Sequence, residues 1–305
     1  PWHNFEHNRN EALRLAENKM DYILFVDADE IIHFSPDFNK DRLDQDYYLI
    51  KTVAADLEFY IVKLIKDDSL WNWVQVIHEF IQHTGDVSGE KLKTIWTESV
   101  QDGARSKDPE KMKKDIEILQ AAIKKDPQNA RYVFYLAQTY KANKNKQKAL
   151  ETYQIRAKMN GEKDETFWAL FCVAQLQEEL GFNPLDYLKS YDRAYQFDPT
   201  RAEPLERMAS YYFQNEFAST AYSLMKHAQT LPTPNPLTCG YLAWVYDFAV
   251  YSICADCAMD LGKFKEAEMM YLNIFRKDKA PPGLIPHIQK QLKKIENLLG
   301  ENLTS

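Results

Sequence analysis

The sequence predicts a chain of two parts: a mixed α/β domain over residues 1–107, and an all-α stack of helix pairs over residues 108–305. Three observations indicate this fold class. The chain has 305 residues, which suits about two domains of roughly 150 residues each. An apolar run from Tyr22 to Val26 ends in carboxylates, as a buried strand does where it opens into a loop. From residue 108 onward, small and aromatic residues recur at the spacing of paired helices.

The first part begins with a predicted helix. The segment HNRNEALRLAENK places apolar residues on one helical face, and these are Ala12, Leu13, Leu15 and Ala16. The strand of Tyr22 to Val26 follows directly. Further along, YYLIKTV and LEFYIVKLIK are rich in residues that favour strands, and WNWVQVIHEFIQH comes after them. A mixed sheet with a helix packed on it is the assembly that these elements predict.

The second part contains an internal repeat. Its copies share small or aromatic residues at four fixed offsets, namely Ala137, Tyr140, Ala149 and Tyr153, then Ala209, Tyr212, Ala221 and Met225, and last Ala255, Ala258, Ala267 and Tyr271. A further copy with Tyr191, Ala194 and Pro199 has about one extra residue in its turn. Small residues let two antiparallel helices approach closely. This is the tetratricopeptide pattern, and it predicts an α-solenoid.

The repeat is interrupted after Pro232, where TPNPLTCGYLAWVYDF precedes the last copy. This interruption predicts either a longer connection or an extra helix. The final stretch, LIPHIQKQLKKIENLLG, is amphipathic and predicts a helix that caps the stack.

Charge and composition exclude several classes of protein. The net charge is −7, and residues 1–107 hold 12 Lys and Arg against 20 Asp and Glu. Clustered cations of the kind that bind nucleic acid are therefore absent from the sequence. No apolar run reaches the 18 or so residues of a membrane-spanning helix, so no membrane span is expected. No basic-then-apolar leader opens the chain, so no secretory signal is expected.

Cysteine usage favours a reducing compartment, and hence a cytoplasmic location. The four cysteines are Cys172, Cys239, Cys254 and Cys257, and they form no closely spaced framework of pairs. Cys254 and Cys257 make a C-x-x-C within a helical stretch, with no second pair to complete a zinc site. We interpret them as packed helix residues.

The sequence Asp27-Ala28-Asp29-Glu30 is the first candidate site. If the chain turns after the strand, Asp27 and Asp29 can bind one hard cation, and Mg²⁺ or Mn²⁺ suits oxygen ligands best. The alternative is chance, because D-x-D arises readily in a chain with 45 acidic residues.

The surrounding residues add to this motif. An Arg9-Asn10 pair lies in the first helix, the next strand ends in the D-x-D, and Trp73 to Ile81 reads WVQVIHEFI. Together with DGARSKDPEKMKKD and the repeats, these segments resemble family 2 glycosyltransferases of the GT-A fold that carry C-terminal tetratricopeptide repeats. Gln75 stands where that family usually has glycine.

The resemblance implies an enzyme: a metal-dependent glycosyltransferase that moves a sugar, with inversion, from a UDP- or GDP-sugar to a hydroxyl of a protein, peptide or glycan acceptor. It implies Asp27 and Asp29 as ligands of Mn²⁺ or Mg²⁺, with Arg9, Asn10 and Asp27 at the donor. A carboxylate must take the acceptor proton as general base. The implied roles are Glu79 as this base, His78 as an alternative base or third metal ligand, and Glu30 as a residue that orients the site.

Alternatives stay open for these residues. Arg9 could instead pair with Glu6 or Asp21 on the helix surface, and His78 and Glu79 could form the solvent side of a strand. A zinc-protease interpretation of HEFIQH fails, because His78 and His83 are five positions apart and helical zinc ligation needs four.

The likeness also has gaps. The family's opening strand and its D-x-G-S-x-D-type loop have no counterpart in the sequence, so an N-terminally truncated GT-A domain is expected. A histidine that often precedes D-G-x-R-S is missing, and Glu98 could take its place. The competing hypothesis is a non-catalytic scaffold, in which the repeats bind a protein or peptide and the transferase domain is vestigial.

Overall fold

The computed structural model describes residues 3–54, 57–100, 110–235, 238–277 and 279–301. The chain divides into two compact units, residues 1–145 (the sheet unit) and residues 146–305 (the helical unit). The domain boundary expected at residue 107, and the DGARS segment before it, lie outside the described residues.

The described part of the sheet unit contains the helix and the strands that the sequence predicts, further strands that it does not predict, and two helices that were expected in the helical part. Its strands are β1 (Tyr22–Leu24), β2 (Glu30–Phe34), β3 (Tyr47–Ala54), β4 (Leu57–Lys66), β5 (Trp71–Val74), β6 (Phe80–His83) and β7 (Gly89–Ser99). Its helices are α1 (Phe5–Ala16), α2 (Lys111–Lys125) and α3 (Ala130–Ala142). Asn4 is the N-cap of α1, and its side chain accepts a hydrogen bond from the His7 amide at 2.7 Å.

Five strands form one mixed sheet in the order β1-β4-β3-β7-β2. The pair β3 and β7 is parallel, and the other pairs are antiparallel. A mixed sheet is therefore confirmed. The strand expected at Tyr22 to Val26 is shorter and less buried than expected, since β1 ends at Leu24 and lies half-buried at a sheet edge. After Leu24 the chain leaves the sheet for a turn at residues 28–29.

Each face of the sheet has its own core. Alternate residues of a strand point to opposite faces, so Tyr48 and Ile50 of β3 are buried on one of them, with Leu64 and Ile95. On the other face the buried residues are Leu13, Ile65, Trp71 and Trp73. Leu13 comes from α1, and Trp71 and Trp73 come from the separate hairpin of β5 and β6. The predicted helix is thus packed on the sheet together with this hairpin.

The helical unit consists of successive helices. These are α4 (Lys146–Arg156), α5 (Lys163–Glu179), α6 (Pro184–Phe197), α7 (Glu203–Gln214), α8 (Ala218–Ala228), α9 (Val250–Asp260), α10 (Phe264–Lys277) and α11 (Ile285–Glu301). Three residues separate α7 from α8 and α9 from α10, whereas four separate α5 from α6. The extra turn residue predicted for that copy is confirmed, and α11 is the predicted terminal helix.

The repeated small residues lie in the core of the helical unit. Ala209, Ala221, Ala255, Ala258 and Ala267 are each fully buried, as close packing of paired helices requires. Cys254 and Cys257 are buried and free in α9, which confirms their interpretation as packed helix residues.

The described residues of the interruption after Pro232 are mostly a connection. It ends in one turn of π-helix, Val245–Ala249, that leads directly into α9. Arg201 and Glu203 hold it in place: Arg201 donates from Nη2 to the Gly240 carbonyl at 2.9 Å, and Tyr246 donates to Glu203 at 2.8 Å. Arg201 and Glu203 themselves form a buried ion pair at 2.8 Å. Gly240 has φ +72° and faces the ring of Trp168, where a Cβ would lie 1.9 Å from Cε3.

Among the described residues, none of the helices combines the length and the apolar character needed to cross a bilayer.

Candidate functional site

An open cleft of about 500 Å³ lies in the sheet unit. One side is formed by α1, the segment after β1, β4 and the β5–β6 hairpin, with Arg9, Asp27, Lys63, Trp73, His78 and Glu79 among its lining residues. Four of the residues that the sequence singles out, Arg9, Asp27, His78 and Glu79, therefore line one cleft.

Arg9 links two carboxylates at the wall of this cleft. Its Nη2 donates to Asp27 Oδ1 at 2.6 Å, and its Nε donates to Glu79 Oε1 at 2.7 Å. The guanidinium lies over the ring of Trp73, 4.7 Å from the centroid. The side chain of Glu79 is 12% exposed and that of Asp27 is 46% exposed. Arg9 therefore pairs with neither Glu6 nor Asp21, the surface partners considered from the sequence.

Asn10 fixes the position of Arg9. Its amide nitrogen donates to the Trp73 carbonyl at 2.7 Å, and its carbonyl oxygen accepts from the Trp73 amide at 2.7 Å. This reciprocal pair joins α1 to β5. The sequence predicts that Asn10 contacts the sugar donor, but Asn10 does not line the cleft. Its side chain instead holds the backbone of Trp73. The Arg-Asn pair thus combines a cleft residue with an anchor.

A buried ion pair supports the turn that carries Asp27. Glu30 accepts from Lys63 Nζ at 2.7 and 2.5 Å, and both side chains are almost fully buried. Glu30 Oε2 also accepts from the backbone amide of Asp27 at 2.9 Å. Such a pair is costly to break, because either partner alone would be a buried unpaired charge. Glu30 thus orients Asp27 through its backbone, and its expected role in orienting a metal site stays a prediction.

The loop between β5 and β6 presents His78 and Glu79. Two of its residues have left-handed backbone conformations, Gln75 with φ 82° and His78 with φ 56°. The first explains why glycine suits the Gln75 position, since a side chain is strained there. Arg131 Nε donates to Gln75 Oε1 at 3.0 Å, and the His78 ring stacks on Tyr135 at 3.9 Å between centroids. These contacts from α3 hold the loop in its strained form.

The electrostatics of the cleft follow from these contacts. Burial alone lowers the pKa of Arg9, but the charges of Asp27 and Glu79 and their hydrogen bonds outweigh it, so the pKa of Arg9 is raised. Arg9 therefore keeps its charge. Burial of the ring, one face of which Tyr135 covers, lowers the pKa of His78 below 6.5. His78 is thus neutral at pH 7 and can accept a proton.

The remaining lining of the cleft comes mostly from α2 and α3, which the sequence does not point to. Lys111, Met112 and Asp115 of α2 line it, with Gln138 and Thr139 of α3. Asp115 is 6% exposed. Lys63 is also missed, although a single lysine within the apolar run of β4 is an unusual residue that could have suggested a buried ion pair. Nothing in the pattern around Lys111 or Asp115 distinguishes them from ordinary helix residues.

The implied metal does not fit the side chains as they are arranged. The carboxylate of Asp27 is paired with Arg9. Asp29 is not among the residues that line the cleft, and its backbone carbonyl accepts a hydrogen bond from the Val100 amide at 2.9 Å. Within the described ranges, no group of three or more His, Cys, Asp or Glu side chains is placed to hold a metal ion. Ligation of Mn²⁺ or Mg²⁺ by Asp27 and Asp29 therefore stays a prediction.

Comparison with known proteins found distant structural similarity and no family. No protein-family model matches the sequence, and no curated protein matches it. Solved structures with a similar arrangement include MamA, with 14% identity, 59% of this chain and 95% of that chain covered and a TM-score of 0.44. A tetratricopeptide repeat protein from Parabacteroides merdae has 17% identity, 64% and 69% coverage and a TM-score of 0.44. BtubC from P. vanneervenii has 14% identity, 65% and 85% coverage and a TM-score of 0.46.

Proposed function

We propose that the cleft of the sheet unit binds a nucleotide sugar and transfers its sugar to an acceptor hydroxyl. The observation that carries this proposal is the linkage of Asp27 and Glu79 by Arg9 at the wall of one open cleft. Such a transfer needs a carboxylate that takes a proton and a cation that offsets the charge of the phosphates. The cleft offers two carboxylates and a guanidinium for these roles. The resemblance to family 2 glycosyltransferases supports the same assignment.

Arg9 is suited to contact the diphosphate of the donor. A guanidinium has five N–H groups, and the two hydrogen bonds to Asp27 and Glu79 use one on Nε and one on Nη2. The remaining N–H groups can bind phosphate oxygens while both ion pairs stay in place. Lys111 lines the same cleft and adds a positive charge to that of Arg9, whereas Lys63 is paired with Glu30. These cations would offset the negative charge of the departing nucleoside diphosphate.

Glu79 is suited to act as the general base. In the proposed step the acceptor oxygen forms a bond to the anomeric carbon, and the bond from that carbon to the diphosphate oxygen breaks. The acceptor proton passes to Glu79, and the nucleoside diphosphate leaves with the electron pair. His78 lines the cleft and is the alternative acceptor of this proton. Attack from the face opposite the leaving group gives inversion.

A turnover measurement tests this proposal. The whole chain would be incubated with UDP- and GDP-sugars and with glycan and peptide acceptors, with and without Mn²⁺, while nucleoside diphosphate is quantified. Glu79→Gln is expected to lower kcat by about 100-fold or more with little change in the donor KM. Glu58→Gln is the matched control, because Glu58 is an exposed glutamate of β4 outside the cleft. Equal turnover by wild type and Glu79→Gln would refute the role of Glu79.

The second candidate function is that of a binding scaffold, in which the helical unit holds a peptide of another protein. The observation that favours it is a groove in that unit, of about 300 Å³, which is lined by apolar, polar and basic side chains. Calorimetry with nucleotides separates the two candidates, because a pure scaffold would not bind UDP or GDP.

A further inference from the structure

The groove of the helical unit lies between α4 and α6, with α5 as its floor. Leu170 and Val173 of α5 give the floor an apolar surface, and Gln177 lies one turn further along the same helix. One wall is Gln154 of α4 with Ala157 and Lys158 of the turn that follows it, and the other is Ser190 and Arg193 of α6. We infer that this groove binds an acidic peptide segment of a partner protein. The inference rests on the second candidate function, peptide binding by the helical unit, and not on sugar transfer.

The charges of the groove are unbalanced. Lys158 and Arg193 line it, and no carboxylate does. Neither cation has an ion pair within the described part of the chain, and both are exposed. Some other cations of this unit are matched, namely Lys163 with Asp198 at 3.1 Å and Arg207 with Glu178 at 2.6 Å. An acidic side chain of a ligand would supply the charge that Lys158 and Arg193 lack.

The groove also offers hydrogen bonds that suit a peptide. Oε1 of Gln177 is buried and has no donor among the described residues. A buried acceptor without a donor is unfavourable, so a ligand N–H placed there would be stabilising. Gln154 and Ser190 add polar groups at the walls. Backbone amides supply donors along an extended peptide, and apolar side chains of that peptide would contact Leu170 and Val173.

A similar groove further along the unit provides an internal comparison. It has a volume of about 340 Å³ and is lined by Lys226, Tyr251, Glu266 and Arg276 among other residues of α8, α9 and α10. There Lys226 lies 3.7 Å from Glu266, which therefore balances its charge. The groove over α9 contains its own carboxylate, and we expect it to bind an acidic peptide more weakly than the groove over α5.

Fluorescence anisotropy with the whole chain tests the inference. The probe is a labelled peptide of alternating Glu and Leu with an amidated C-terminus, and the comparison peptide has Gln in place of Glu. Arg193→Glu and Lys158→Glu are each expected to weaken binding of the acidic peptide by about tenfold. Lys189→Glu, on an exposed position of α6 outside the groove, and Arg276→Glu, in the groove over α9, are charge-matched controls with unchanged affinity.

Three results would overturn the inference. Equal binding of the Glu and Gln peptides would show that the groove does not select acidic ligands, although peptide binding by the helical unit would stand. Acidic-peptide binding that all four variants weaken equally would indicate a general charge effect. Binding of neither peptide would refute both the inference and the scaffold function, and sugar transfer would be unaffected by it.

Discussion

Arg9 and Glu79 are 70 positions apart in the sequence, and a hydrogen bond of 2.7 Å joins the guanidinium of the first to the carboxylate of the second. The same guanidinium binds Asp27 at 2.6 Å. Helix α1, the segment after β1 and the β5–β6 hairpin thus meet at one side chain. Any change at Arg9 must therefore act on the charge of the cleft and on the packing of these three segments together.

Arg9→Lys is expected to weaken binding of a nucleoside diphosphate by about tenfold. Lysine keeps the positive charge, but its compact ammonium cannot hold Asp27, Glu79 and a phosphate in one planar arrangement. Calorimetric titration of wild type and Arg9→Lys with UDP and GDP measures this change. Arg14→Lys, on an exposed position of the same helix, is the control and should bind as wild type does. Equal affinities of wild type and Arg9→Lys would mean that Arg9 does not contact the phosphates.

Gln75→Gly is expected to stabilise the sheet unit. The φ of 82° at Gln75 strains any residue with a side chain, and removing the side chain relieves about 1 kcal/mol or more. Loss of the hydrogen bond from Arg131 offsets part of this gain. The net rise in the free energy of unfolding should be about 0.5 kcal/mol, measured by urea denaturation.

Gln82→Gly provides the control for this prediction. Gln82 is an exposed residue of strand β6, where glycine only adds freedom to the unfolded chain, so the variant should be less stable by about 0.5–1 kcal/mol. If glycine destabilises the protein equally at both positions, the strain argument for Gln75 is wrong.

Gly240→Ala is expected to destabilise the helical unit by about 2–3 kcal/mol. The added Cβ would lie 1.9 Å from Trp168 Cε3, and the backbone is left-handed at φ +72°. Gly262→Ala separates the two effects, because Gly262 has a similar φ of +70° but no atom within 4 Å of the added Cβ. That control should cost about 1 kcal/mol. Thermal unfolding of both variants gives the comparison, and equal losses would show that the ring of Trp168 is not in the way.

Glu206→Gln is expected to stabilise the helical unit at neutral pH. Burial raises the pKa of Glu206 above 4.5, while Arg207 and the hydrogen bond from Ser210 partly oppose the shift. The stabilising contribution of Glu206 is therefore complete below pH 4.5 and is lost as the pH rises through the folded-state pKa. Glutamine carries no charge, so stability should change less with pH over this interval.

Unfolding at a series of pH values measures this effect. At pH 7 the gain from Glu206→Gln should be about 1 kcal/mol, and it should shrink as the pH falls toward 4.5. Glu296→Gln, on the exposed side of α11, should follow wild type throughout. A pH profile of Glu206→Gln that is parallel to wild type would contradict the assignment.

The helical unit was the more predictable half of the molecule. Its pattern depends on contacts between helices near in sequence, so the burial of Ala221 and Ala267 follows from their spacing alone. Even the extra residue between α5 and α6 could be read from the pattern. The π-helical turn before α9 could not, because it contacts residues distant in sequence, such as Glu203, which accepts a hydrogen bond from Tyr246 43 positions away.

The site was predictable only in part. The types of residues at Arg9, Asp27, His78 and Glu79 could be related to chemistry, and these residues do line one cleft. Their partners could not be predicted, because an ion pair such as Lys63 with Glu30 joins strands whose pairing is set by the whole sheet. The cleft wall from α2 and α3 was missed for the same reason, since no local pattern shows that these helices belong to the sheet unit.

The most direct test of the account is a crystal structure of the whole chain soaked separately with UDP and with GDP. We expect one of them to bind in the cleft, with diphosphate oxygens about 2.7–2.9 Å from the free N–H groups of Arg9 and with Glu79 facing the vacant sugar position. A nucleotide bound away from Arg9, or a cleft that stays without nucleotide at saturating concentrations of both, would contradict it.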